Sequence, residues 1–150
     1  MIAKNNTSDM SLSNHSILFV CQANSVRSQM ARALMRSMVG DDVEVLSAGF
    51  TPAGLDRRVI RVMEEIDIDA SLQQSKGFDM VPIEKVDLVI DLRQKGKRGD
   101  LPTALQSVEY KHWPTPDPYA APPSGGDGLA YFRSVRDELK KRIKQLVSEE

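Results

Sequence analysis

Short strand-like runs alternate with stretches of helical periodicity, and that alternation most constrains the fold. Ser16 to Val20, rich in large aliphatic and aromatic residues, reads as a buried strand. Met30, Leu34 and Met38 then recur on one helical face that ends near Gly40. Val43 to Gly49 reads as a second strand, broken by Thr51-Pro52-Ala53-Gly54. Leu55, Val59, Val62, Met63 and Ile66 keep helical spacing; Val86 to Leu92 and the weaker Ser107 to Trp113 supply two more strands. A proline- and glycine-rich loop spans Pro114 to Gly128, and Leu129, Phe132, Val135, Leu139, Ile143 and Leu146 share one face of a closing helix. Strands joined by helical crossovers pair in parallel, so the expected class is α/β, with helices on both faces of the sheet.

The chain has 150 residues, the size of one domain, and its 41% apolar content can fill one core. The domain is expected over residues 16–150; residues 1–15, polar and aperiodic, read as a disordered tail. That tail has no apolar stretch of the secretory kind. A formal net charge of -1 argues against a nucleic-acid partner, and no apolar run approaches a membrane span. A single cysteine cannot form an internal disulfide and suits a reducing cytoplasm. No His/Cys/Asp cluster has ligand spacing, so neither a metal nor an organic cofactor is expected.

That cysteine, Cys21, stands immediately after the first apolar run. Ligands of parallel sheets bind outside the carboxyl ends of the strands, so the thiol lies where a ligand is expected. The residues that follow, Gln22, Ala23, Asn24, Ser25, Val26, Arg27 and Ser28, lead into the first helix. Amides at a helix start lack intrahelical partners and form a cradle for anions. Arg27 adds a planar, permanently charged fork that matches a tetrahedral oxyanion. Asn24 tolerates the left-handed conformation such a wrap needs, and Ser28 is placed to bond the sulfur. A thiol in this setting suits a nucleophile. The bland alternative, a buried cysteine beside a solvated arginine, fits the two residues alone but not their context of strand, small-residue loop and helix.

The run "CQANSVRS" resembles the Cys-x5-Arg-Ser phosphate-binding loop of the low-molecular-weight protein tyrosine phosphatase family. Its continuation, "CQANSVRSQMA", is similar to the arsenate reductase branch of that family, as are "SAG" at Ser47, "VDLVIDL", "HWPTPDP" and "YFRSVRDELKKRI". The resemblance implies a three-layer α/β fold, a four-stranded parallel sheet flanked by helices, with Cys21 as nucleophile and Arg27 as oxyanion binder. Asp117, between Pro116 and Pro118, reads equally as a turn residue or as a general acid; the family's Asp-Pro favours the acid. Tyr119 is expected at the substrate entrance, Trp113 as a cap on the core at the strand end, and His112 in a structural hydrogen bond.

Thioredoxin-coupled arsenate reductases of this type relay oxidation through further cysteines, whose places Val26, Arg93 and Leu101 occupy here. With one thiol that cascade cannot run. The first reading is therefore a phosphomonoesterase acting on a phosphorylated protein or a small phosphoester through a cysteinyl-phosphate. The alternative is arsenate reduction with an external thiol such as glutathione or mycothiol. A binding module for oxyanions or phosphoproteins, without turnover, is the third. Ala23 stands where the family often has Gly, and Arg32 and the run "RQKGKRGD" add charge near the site. Such runs ordinarily face solvent; attraction of an anionic substrate is the functional alternative.

Overall fold

A computed structural model describes residues 12–120 and 126–148, with the side chain of Ala120 left aside. The expected tail lies outside these residues up to Ser11, and so does the middle of the proline- and glycine-rich loop. Leu12 packs against the core, and the Asn14 N–H donates to the Asp42 carbonyl at 2.7 Å, so residues 12–15 run along the domain.

The strands are β1 (Ser16–Cys21), β2 (Glu44–Gly49), β3 (Leu88–Asp91) and β4 (Glu109–His112). They form one parallel sheet in the order β2-β1-β3-β4. The helices are α1 (Arg27–Arg36), α2 (Arg57–Glu64) and α3 (Ala130–Ser148). Cys21 is the last residue of β1, paired in register with Gly49, rather than the first residue beyond the strand.

Strand alternation divides the core in two. Ile17, Phe19 and Cys21 point to the face covered by all three α-helices, where Met30, Leu34, Val59, Met63, Leu139 and Ile143 pack. Leu18 and Val20 point to the other face and meet Val81, Val86, Val89, Leu101 and Leu105. Short 3₁₀ turns at Phe78–Met80, Ile83–Lys85, Arg98–Asp100 and Thr103–Leu105 cover that second face in place of full helices. Pro82 and Pro102 sit at the starts of two of these turns, where the missing N–H costs no helical bond. Glu65 ties α2 to α3 through Arg133 and Arg136, with N–O separations of 2.7 Å, and its carboxyl is held down to about 2 by Arg133 first and then Arg136.

Candidate active site

The Cys21 side chain leaves β1 on the helical face, directly under the start of α1. Its neighbours from Asn24 to Gln29 form a buried polar run inside an otherwise apolar core; Asn24, Ser28 and Gln29 are each 0% exposed. Burial of so many polar groups is tolerated only where each finds a partner.

Asn24 is the hub. It adopts a left-handed φ of 48°, as the turn chemistry anticipates, whereas Ala23 does not, so the Cβ at that position meets no backbone strain. The Asn24 Oδ1 accepts from the Lys76 N–H at 2.7 Å and from Gln29 Nε2 at 3.0 Å. With Oδ1 so occupied, Nδ2 is the donor, and it reaches Ser28 Oγ at 2.6 Å. Ser28 Oγ stands 2.9 Å from Cys21 Sγ. A hydroxyl that accepts from Asn24 has its own proton left for the sulfur, so the chain Asn24–Ser28–Cys21 presents a donor to a thiolate.

The loop's carbonyls are turned away from its centre. Gln22 O accepts from the Thr51 N–H at 2.8 Å, Ala23 O from the Ala53 N–H at 3.1 Å, Asn24 O from Gln29 Nε2 at 2.9 Å and Ser25 O from the Asp56 N–H at 3.1 Å. In a trans peptide the N–H points opposite to the carbonyl, so these bonds turn the following amides inward. Among the described residues, the amide N–H groups from Ala23 to Ser28 have no hydrogen-bond partner. Buried amides rarely stay unpaired, and a ring of them at a helix start makes a receptor for an oxyanion.

Arg27 is 6% exposed and anchors one arm, Nη1, on the Thr115 carbonyl at 3.1 Å and the Leu92 carbonyl at 3.5 Å. Its Nε and Nη2 have no partner among the described residues. A cavity of about 190 Å³ is lined by Cys21, Gln22, Ala23, Ser25, Val26, Arg27, Asp117, Pro118 and Tyr119. The structure therefore brings the thiol, the loop, the arginine, the far-loop carboxyl and Tyr119 around one space. Asp117 accepts from the Tyr119 N–H at 2.9 Å, and the Tyr119 hydroxyl donates to Asp56 Oδ2 at 2.8 Å. Burial, then that bond, pushes the Tyr119 phenol up to about 12. Tyr131 of α3 donates to the Pro116 carbonyl and fixes the stem of the acid loop.

Trp113, half-buried, caps the core against Phe19, and His112 Nε2 meets the Arg93 carbonyl at 2.6 Å. Arg32 turns away from the cavity: its Nε donates to the Val45 carbonyl and its Nη1 to Gln73 Oε1, both at 2.9 Å. Of the three places read as lost relay cysteines, Val26 lies in the thiol loop and the other two are filled by structural residues. Leu101 is buried on the second face. Arg93 forks onto the fully buried Asp91, at 3.0 and 2.7 Å, reaches Asp100 at 3.1 Å and lies over the Phe50 ring. Burial raises the Asp91 carboxyl, but the Arg93 fork and the Tyr110 hydroxyl outweigh it and hold the group below the usual carboxylate range.

Sequence reasoning assigned no role to Gln29, Gly49, Asp56, Gln73, Ser75 or Lys76, although each shapes the site. Gln29 receives Gln73 Nε2 at 2.8 Å, and Ser75 Oγ donates to Ala23 O at 3.2 Å. A polar glutamine on the core-facing side of α1 is the one local signal that was available.

An arsenate reductase of Halalkalibacterium halodurans is 40% identical to this chain over 129 residues, spanning 85% of the chain and 91% of the relative. An arsenate reductase of Bacillus subtilis is 36% identical over 135 residues, spanning 89% and 96%. Among solved structures, an arsenate reductase in the phosphate binding state superposes with a TM-score of 0.77 at 30% identity, covering 90% of this chain and 98% of that one. The YwlE arginine phosphatase from Geobacillus stearothermophilus superposes with a TM-score of 0.73 at 26% identity, covering 90% and 92%. The family model described as low molecular weight phosphotyrosine protein phosphatase matches residues 16–150, the span that carries the sheet, the thiol loop and the acid loop, and the chain belongs to that family.

Proposed function

We propose that the protein is a cysteine-dependent phosphomonoesterase. The observation that carries this reading is one cavity lined by the chain's single thiol, by loop residues whose amides have no partner among the described residues, by Arg27 and by Asp117 from a separate loop. The Cys21 thiolate attacks phosphorus; an S–P bond forms as the bond to the leaving oxygen breaks. Asp117 gives its proton to that oxygen. The resulting carboxylate then takes a proton from water, whose oxygen displaces the sulfur and releases inorganic phosphate. Arg27 and the inward amides hold the non-bridging oxygens throughout, where transition-state charge is spread. Ser28 supports the thiolate as it departs. The substrate is a phosphorylated protein or a small phosphoester, and a cytoplasmic location accords with a free thiol.

A second reading rests on the names of the relatives, which are arsenate reductases. Here Cys21 displaces hydroxide from arsenate, and an external thiol attacks the Cys21 sulfur. Arsenite departs as As(V) takes two electrons, and the resulting mixed disulfide is reduced by a second thiol. An intramolecular relay is excluded, because Cys21 is the chain's sole cysteine. The binding-only reading makes no use of Asp117.

The deciding experiment is hydrolysis of p-nitrophenyl phosphate at mildly acidic pH, with Cys21→Ser alongside. Turnover that vanishes in the variant is the expected result. A folded, reduced wild type that releases no phosphate overturns the reading; arsenate reduction with glutathione or mycothiol then decides between the remaining two.

A further inference from the structure

The basic run from Arg93 to Asp100 has a fate that the sequence does not reveal, and it differs from residue to residue. Arg93 is neutralised by Asp91 and Asp100. Arg98 is spent on the Gln106 and Val108 carbonyls, at 2.9 and 2.6 Å, and lies over the Tyr110 ring. Lys97 does not border the site. Lys95 does, and among the described residues its ammonium has neither an ion-pair nor a hydrogen-bond partner.

Lys95 helps to line a second cavity of about 330 Å³ with Gln22, Arg27, Arg93, Gln94 and Asp117. Gln22, Arg27 and Asp117 also border the catalytic cavity, so the two spaces share a wall. A leaving group protonated by Asp117 must lie beside Asp117, which borders both spaces, so the second space is open to its far end. Arg27 is committed to the transferring phosphoryl group and Arg93 to its two carboxylates. Lys95 is therefore the cation left to meet a charge on the leaving group.

We infer that the cavity beside Lys95 is a second-anion subsite, which selects phosphomonoesters whose leaving group carries a carboxylate or another anionic group. The inference rests on the phosphomonoesterase reading for its substrate class, but it can be tested by binding alone. Lys95 is a specificity residue, and the Gln94 amide is the neighbouring donor able to share the anion.

The test compares 4-carboxyphenyl phosphate with its neutral amide, 4-carbamoylphenyl phosphate, by calorimetric titration of the non-turning Cys21→Ser variant. At low salt the carboxylate should bind about 2- to 5-fold tighter, the upper part of the range of an exposed ion pair, and the advantage should shrink as salt is added. Lys95→Gln should bring the ratio close to one, and Lys95→Arg should retain most of it. A ratio near one in the Cys21→Ser background overturns the subsite, and so does a ratio that Lys95→Gln leaves unchanged or the absence of binding by either ester. Turnover of p-nitrophenyl phosphate by the wild type is read separately, so failure of the subsite and failure of the phosphatase reading are distinct results.

Discussion

The wall of the catalytic cavity that carries Cys21 and the wall that carries Asp117 hold their side chains by different means. On the thiol side, Asn24, Ser28 and Gln29 are wholly buried, and their hydrogen bonds reach Gln73, Gln74 and Lys76. On the acid side, the stretch from Pro116 to Tyr119 hangs from a few contacts: Tyr131 on the Pro116 carbonyl, the Tyr119 N–H on Asp117, and the Tyr119 hydroxyl on Asp56. Tyr119 itself is 57% exposed. In the proposed mechanism the nucleophile needs an anion cradle that is complete before substrate arrives, because reorganisation during reaction would erode transition-state stabilisation. In the same mechanism Asp117 has to reach the leaving oxygen, and prolines on both sides limit its wandering without burying it.

Three substitutions probe this contrast. Asp117→Asn should lower kcat by about 10²- to 10⁴-fold, the usual contribution of a general acid, while vanadate affinity stays near the wild-type value. An equally active variant would remove Asp117 from the mechanism; lost vanadate binding would mean that the acid wall also builds the cradle. Asn24→Ala should cost about 2–4 kcal/mol in urea unfolding, because it strands buried partners and places alanine at a left-handed φ. A loss below about 0.5 kcal/mol would show that the thiol wall is not held through this hub.

Tyr119→Phe should cost no more than about 0.5 kcal/mol, since the bond to Asp56 is largely solvated. The sign of its pH dependence follows from a raised folded-state pKa. The contribution is complete below the ordinary phenol range near 10 and is lost as the pH rises through about 12. Ultraviolet titration of wild type against Tyr119→Phe reads it directly: a tyrosine that ionises near its ordinary value would break the Asp56 contact.

What could be read in advance follows the same division. Cys21, Asn24, Arg27 and Ser28 lie within one turn-and-helix segment, so strand-end position and turn chemistry were enough to bring them together. Gln29 bonding to Gln74, Ser75 to Ala23 and Lys76 to Asn24 are contacts between residues 45 to 52 positions apart, which no local pattern records. The two central strands were legible because they are continuous buried runs, whereas the edge strand Glu109–His112, polar and half-buried, gave a weaker signal. The cover of the sheet's second face was not legible, because 3₁₀ turns of three residues are too short to show a repeat. Arg93 and Arg32 illustrate a further limit: both read as charge near the site, yet one is paired with a buried aspartate and the other faces β2. Sequence counts charges but does not say which are already neutralised.

Gly49 pairs with Cys21 across the β1–β2 ladder, and a Cβ there would stand 2.7 Å from the Asn24 amide nitrogen and 2.9 Å from the Gln22 carbonyl oxygen. It carries no proton, charge or donor that the reaction could use, but the strand beside the thiol is the mould against which the loop is cast. Tolerance to mutation in this protein should therefore not map onto chemistry alone. An inert position one strand away falls under the same selective constraint as the nucleophile it faces.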